Sequence, residues 1–346
     1  MVMPIATAPK SPSRPPGGRY RAWADFDKLA GRRASGRAAE GKNAVVRPMR
    51  DQTVSIVGIP MDLGQSRRGV DMGPSALRYA GIHERLRRLG YETEDLGNME
   101  IRERATIPPR GKGLDFLPAV VRAARKTYDQ ARAAVQERRI PVFLGGDHSI
   151  SVGTIGGVTA AGSTGVLWID AHGDFNTPET SPSGNIHGMP LAALFGLGAP
   201  SLVNLGRPGP KLRARDVAVI GVRDLDVPEK ELLREHDVRV YTMSEIDDLG
   251  IASVAREALA RLSHVSRVHV SLDLDVMDPR EAPGVGTPVT GGITYREAHL
   301  LMEIIAKDGR LSSADVVEVN PILDVQNRTA EMAVELVASL FGKSIL

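Results

Sequence analysis

Along this chain, short runs of apolar residues alternate with longer stretches in which apolar positions recur every three or four residues. The short runs lie at 53–59, 92–96, 140–144, 165–169, 217–220, 238–241, 267–272 and 315–319. Several are apolar at nearly every position, the pattern of strands covered on both faces, and all eight are read as β-strands. The longer stretches, at 74–89, 116–137, 150–161, 229–236, 251–262, 295–307 and 329–341, carry the helical period. Pro74 stands at the first position of its helix, where a missing N–H is no loss. Parallel neighbours require crossover connections, so this alternation predicts an α/β fold with a mainly parallel sheet and helices on both faces. A closed barrel of strands ringed by helices has the same element count and is the architectural alternative. No internal repeat and no second core is visible, so residues 51–346 are read as one domain.

Composition changes this picture at one end. The net charge is only +2, but residues 1–50 hold 11 Lys/Arg against 3 Asp/Glu, leaving 33 against 39 in the remainder. That first segment is rich in Pro and Gly and has no sustained period, so it is expected to be a disordered, solvated extension, or sequence preceding a true start near Met49. A nucleic-acid arm or an Arg-rich transit peptide would share its charge, but the solvated extension is preferred. With the basic excess confined there, no nucleic-acid partner is expected. The chain has no cysteine, which excludes disulfides, thiolate nucleophiles and Cys-held metals and accords with a cytoplasmic location. No apolar stretch approaches the roughly 20 residues of a bilayer span, so no membrane partner is expected.

The chemistry sits at the ends of three strands. Gly145-Gly146-Asp147-His148-Ser149, Asp170-Ala171-His172-Gly173-Asp174 and Asp273-Leu274-Asp275 each follow an apolar run. Residues two apart on a strand share a face, so Asp170, His172 and Asp174 can converge, as can Asp273 and Asp275. Carboxyl ends of parallel strands are where open α/β sheets bind ligands. Any one of these residues could be a helix cap or a core histidine; six donors in three such segments point to two metal ions instead. Four Asp and two His suit Mn²⁺ better than a thiolate-seeking ion, with Zn²⁺, Co²⁺, Ni²⁺ and Fe²⁺ left open by ligand type. Two adjacent ions lower the pKa of a shared water, the basis of a hydrolase.

Two long loops follow these segments. The one at 174–186 is polar, as binding loops are, and the one at 278–292 is rich in Pro and Gly. His187, on a Gly-rich approach to a helix, has the intrinsic pKa of a proton relay, though a histidine there taken alone is more often a surface or helix-cap residue. Glu318 falls within the last strand run and should be buried. A buried carboxylate needs a cation, either a substrate or an internal Arg.

Taken together, Gly-Gly-Asp-His-Ser (145–149), Asp-Ala-His-Gly-Asp-Phe-Asn (170–176), Ser-Leu-Asp-Leu-Asp-Val-Met-Asp-Pro (271–279) and Glu-Val-Asn-Pro (318–321) resemble the ureohydrolase superfamily and, within it, the arginases. The resemblance runs from about Ser55 to Leu346 and includes the Gly64–Pro74 and Gly286–Gly292 segments. It implies a three-layer α/β/α fold with an eight-stranded sheet, two Mn²⁺ ions, and hydrolysis of L-arginine to L-ornithine and urea. One ion would be held by His148, Asp170, Asp174 and Asp273, the other by Asp170, His172, Asp273 and Asp275. A hydroxide bridging them would attack the guanidinium carbon, Asp174 would pass the proton to the leaving amine, and His187 would act as acid or shuttle. Glu318 would anchor the guanidinium. Asn176, Ser183 and Asn185 would bind the α-carboxylate, and Asp226 with Glu229 would face the α-ammonium.

The resemblance further implies a trimer or hexamer. A relative hydrolysing another amidine, such as agmatine or guanidinobutyrate, is the nearest alternative, and a non-catalytic binding protein on the same fold a remote one. A dinucleotide-dependent oxidoreductase is disfavoured because Gly58-Ile59-Pro60 does not complete a G-x-G-x-x-G turn.

Overall fold

The computed structural model describes residues 52–108 and 114–344. The basic segment 1–50 lies outside them. Eight strands form one sheet: β1 (Val54–Ile59), β2 (Thr93–Asn98), β3 (Ile140–Gly145), β4 (Gly165–Ile169), β5 (Val217–Val222), β6 (Arg239–Thr242), β7 (Val268–Asp273) and β8 (Leu311–Val317). Their order is β2-β1-β3-β8-β7-β4-β5-β6, with every neighbouring pair parallel. β2 and β6 are free edges, so the sheet is open and the barrel alternative fails.

Between the strands lie α1 (Gly73–Tyr79), α2 (Ile82–Arg88), α3 (Leu117–Gln136), α4 (Ser151–Ala160), α5 (Pro190–Leu194), α6 (Pro200–Val203), α7 (Val227–Glu235), α8 (Met243–Leu249), α9 (Ile251–Arg261), α10 (Tyr295–Asp308) and α11 (Arg328–Leu340). Alternate strand residues sort into two interiors. Ile56, Val142, Leu167, Ile220, Val270 and Val316 pack with α1, α2, α8, α9, α10 and α11. On the other face, Val57 and Phe143 pack with α3 and α4, and Val166, Trp168 and Val219 with α4, α5 and α7. The result is the expected three-layer α/β/α arrangement, with α4 over the middle of the sheet. No helix among the described residues is long and apolar enough to cross a membrane.

The departures from the sequence reading have local causes. The stretch expected as one helix at 74–89 is broken at Gly81, whose φ of +85° only glycine adopts without strain. α5 and α6, with 5 and 4 residues, are too short to show a period. α8, Met-Ser-Glu-Ile-Asp-Asp-Leu, buries only Ile246 and so lacks an apolar stripe. β8 begins four residues earlier than its apolar run, because Ser312 and Ser313 hid its start. It also ends at Val317, so Glu318 is not in the strand: its φ of +64° turns the chain out of the sheet.

Candidate metal centre and substrate pocket

The strand ends bring the six expected ligands together. His148 opens a short 3₁₀ turn after β3, Asp170 to Asp174 follow β4, Asp273 ends β7, and Asp275 lies in the 3₁₀ turn beyond it. Since β3 and β4 flank the β8-β7 pair in the middle of the sheet, the two halves of the chain meet here. His148 Nδ1 lies 3.1 Å from Asp170 Oδ2, 3.0 Å from Asp174 Oδ2 and 3.1 Å from Asp273 Oδ2. His172 Nδ1 lies 3.0 Å from Asp275 Oδ2 and 3.5 Å from Asp170 Oδ1. Asp170 therefore turns one oxygen to each histidine. Its donors form two groups suited to a cation, His148-Asp170-Asp273 and Asp170-His172-Asp275.

The arrangement fits a metal on its own evidence. His148 Nδ1 is buried without a hydrogen-bond partner, although three carboxylates crowd it. Burial pushes the Asp273 carboxyl well above its ordinary range, and repulsion from Asp275 and Asp170 pushes it further. Burial and Asp170 likewise raise Asp174 to about 6. A cation among these oxygens and the orphaned nitrogen would relieve both strains at once.

Several supports were not anticipated from sequence. Trp168, two residues before Asp170 and on the same face, donates from Nε1 to Asp170 Oδ2 at 3.0 Å and stacks on His148 with centroids 4.1 Å apart. The Thr287 hydroxyl donates to Asp275 Oδ2 at 3.0 Å. The Arg223 guanidinium donates to the carbonyls of Asp275, Met277 and Val289 at 2.7, 3.1 and 2.6 Å, tying down the Pro/Gly-rich loop. The signals were available in part: Trp168 through strand periodicity, Thr287 through its place in the Gly286–Gly292 motif.

Above the ligands opens a cavity of about 290 Å³. Its floor includes His172, Asp174, Asp273 and Asp275; its walls include His187, Asn176, Ser183, Asn185, Asp226 and Glu229. Asp226 precedes α7, whose first turn is built by Glu229. Glu229 Oε1 accepts from Phe175 N at 2.9 Å and its Oε2 from Asp226 N at 3.3 Å, which clamps α7 to the segment bearing Asp174. Gly173 permits this approach, since a Cβ there would meet Leu225 at 2.7 Å and Glu229 at 2.8 Å. Burial, with Asp174 nearby, raises the Glu229 carboxyl to about 7. Asn176 donates one amide hydrogen to Asp226 Oδ2 at 3.0 Å and accepts from Thr180 at 2.9 Å, keeping its second amide hydrogen free of these two contacts.

Glu318 departs from expectation in its partners. It is 1% exposed and does not line the cavity. Its Oε2 accepts from Gln65 Nε2 at 2.7 Å; its Oε1 accepts from His148 N at 2.9 Å and sits 3.0 Å from His187 Nδ1. The counterpart of the buried charge is thus His187, and not an internal Arg. Burial opposes charge on His187, but Glu318 outweighs it and pushes the imidazole up to about 9.

The fold and the site define a class: an open parallel α/β/α protein with a cation centre at the strand ends and an acidic pocket above it. Comparison with known proteins narrows the class. A family model described as Arginase family matches residues 52–342, and the chain belongs to that family. It is 53% identical over 296 residues to an arginase of Bacillus caldovelox, covering 85% of this chain and 99% of the relative. Against an arginase of Bacillus subtilis the identity is 52% over 298 residues, covering 86% and 100%. The crystal structure of the Bacillus caldovelox arginase superposes with a TM-score of 0.83 over 85% of this chain and all of that one, at 53% identity.

Proposed function

We propose that this chain is an arginase, hydrolysing the guanidinium group of L-arginine to give L-ornithine and urea. The observation that carries the reading is the pairing, in one cavity, of a buried His/Asp floor suited to cations with a rim of Asn, Ser, Asp and Glu suited to an amino acid. His148, Asp170, Asp174 and Asp273 would hold one Mn²⁺; Asp170, His172, Asp273 and Asp275 would hold a second. When bound, such a pair would lower the pKa of a coordinated water and so supply a hydroxide nucleophile near neutral pH.

The remaining steps belong to side chains. Asp226 and Glu229 place negative charge at the α-ammonium end, while Ser183, Asn185 and the second amide hydrogen of Asn176 offer donors to the α-carboxylate. These contacts hold the substrate's length so that its guanidinium lies on the floor. Asp174, at the floor and beside His148, is positioned to carry a proton to the leaving amine. His187 lines the cavity and is held by Glu318, an arrangement that keeps a protonated imidazole at the site for proton delivery. Glu318 reaches the cavity only through His187 here; a guanidinium that displaced that ring from Oε1 would be gripped directly. A homo-oligomer, trimer or hexamer, in the cytoplasm completes the proposal, supported by the family resemblance and the cysteine-free composition.

The test uses chain stripped of metal and reloaded with Mn²⁺. Equal amounts of urea and ornithine should form only after reloading, with close to two ions retained per chain. Urea formation at the same rate without metal, or none with two ions bound, would overturn the proposal.

A further inference from the structure

A strand covered on both faces should be apolar on both, yet β7 and β8 are not. On the face turned to α4, β7 presents His269, Ser271 and Asp273, and β8 presents Ser313 and Asp315. The register sets His269 opposite Ser313 and Ser271 opposite Asp315. All of the residues below Asp273 are fully buried, as are Ser151 and Thr154 on the facing side of α4. A completely buried carboxylate with no Lys or Arg bonded to it is costly in a sheet interior. Among the described residues, Asp315 Oδ1 and His269 Nε2 even lack hydrogen-bond partners, with Nε2 3.3 Å from Asp315 Oδ2. In place of a Lys or Arg, the carboxylate is matched by His269 and by two hydroxyls of α4.

Its contacts lead to the metal centre. Asp315 Oδ2 accepts from Ser151 Oγ at 3.1 Å and from Thr154 Oγ1 at 2.7 Å. Ser151 Oγ lies 3.4 Å from Ser271 Oγ, which lies 2.9 Å from His148 Nε2. A carboxylate accepts only, so Ser151 must donate to Asp315. Ser271 can then donate to Ser151, and its free lone pair takes the hydrogen of His148 Nε2. That order leaves the lone pair of Nδ1 aimed at Asp170, Asp174 and Asp273.

We propose that Asp315 is a positioning residue for His148, acting through Ser151 and Ser271 to hold the imidazole in the orientation and tautomer that a metal ion requires. Carboxylates that orient a metal-binding histidine directly are common; here two hydroxyls carry the effect across the interior. The assignment rests on the metal-centre reading above.

The test titrates full-length, metal-stripped protein with Mn²⁺ alone and reads free ion by electron paramagnetic resonance. Ser271→Ala, Ser151→Ala and Asp315→Ala should each weaken the tighter binding step by about 10- to 100-fold. The double variant Ser271→Ala/Asp315→Ala should be no weaker than Ser271→Ala, since both cut one path. Thr154→Val removes an equally buried bond to the same carboxylate but lies off the path, and should change the affinity less than about threefold. Wild-type affinity in both serine variants, losses that multiply in the double variant, or a Thr154→Val loss equal to theirs would each overturn the assignment. The two serine variants decide the matter even if Asp315→Ala does not fold. A wild-type chain that takes up no Mn²⁺ would overturn the metal reading and this assignment with it; a wild type that binds with unaltered variants overturns this assignment alone.

Discussion

On one face of β7, Val268, Val270 and Leu272 are buried among α9, α10 and their neighbours; on the other, His269, Ser271 and Asp273 run toward the metal centre. Both faces are equally dry, but they answer to different physics. The apolar face contributes by area removed from water and tolerates substitutions that keep volume. The polar face gains little in net stability, because each buried group must be matched by a partner, and what it supplies is direction. A strand can therefore be split lengthwise between holding the fold and aiming the chemistry.

That division makes its largest prediction at the end of the neighbouring strand. Asp170→Ala should abolish arginine hydrolysis and metal retention together, because its two oxygens face the two histidines; metal analysis of the purified variant beside a urea assay checks it. A variant that kept its metal would show that Asp170 does not hold it.

Next in size, His187→Ala should lower kcat by about 10²–10⁴, as loss of a general acid–base group does, while metal content stays near that of the wild type. A metal-depleted His187→Ala protein would move this residue from the chemistry to the scaffold.

Metal removal has its own pH signature. Asp174 at about 6, Glu229 at about 7 and Asp273 well above the usual range all have raised carboxyl pKa values when no cation is bound. A raised folded-state pKa contributes stability below the unfolded value, near 4, that is lost as pH rises through the folded value. Metal-free protein should accordingly melt at progressively lower temperature from pH 5 to pH 8, and Mn²⁺ should reduce the slope by taking the place of protons at Asp174 and Asp273, while Glu229, outside the ligand set, keeps its share. A flat profile without metal would mean that the carboxylates are not crowded as described.

The smallest functional effect belongs to the apolar face. Val270→Ala, at a site with 0% exposure, should cost about 1–3 kcal/mol of unfolding free energy and leave Mn²⁺ affinity and kcat unchanged. Denaturant melts paired with metal titration separate the two faces.

Much of this was legible in the chain because strands covered on both faces leave an unbroken apolar signature, and ligands at their ends stand out against it. All six candidate ligands stood out for that reason, and a parallel sheet covered by helices followed from the alternation, which left the closed barrel open until the strand order decided it. Less legible was everything set by long-range packing. Glu318 was placed inside a strand because Val316, Val317 and Val319 surround it, while its left-handed backbone shows only in three dimensions. Its partner Gln65 is 253 residues away, and no local pattern links them. Ser271 lies inside one apolar run and Asp315 at the start of another, and nothing local links them, since the register that pairs them is a property of the sheet.

In the proposed arginase the cavity rim would bind the amino-acid end of the substrate and the floor its guanidinium. Agmatine carries the same guanidinium and amine but lacks the carboxylate, so the most direct measurement compares kcat/KM for L-arginine and agmatine on Mn²⁺-loaded protein. If Asn176, Ser183 and Asn185 pair with the carboxylate as proposed, arginine should be favoured by several kcal/mol, about 10³-fold or more. Equal values for the two substrates would contradict the rim assignment and the arginase reading, while leaving the metal centre in place.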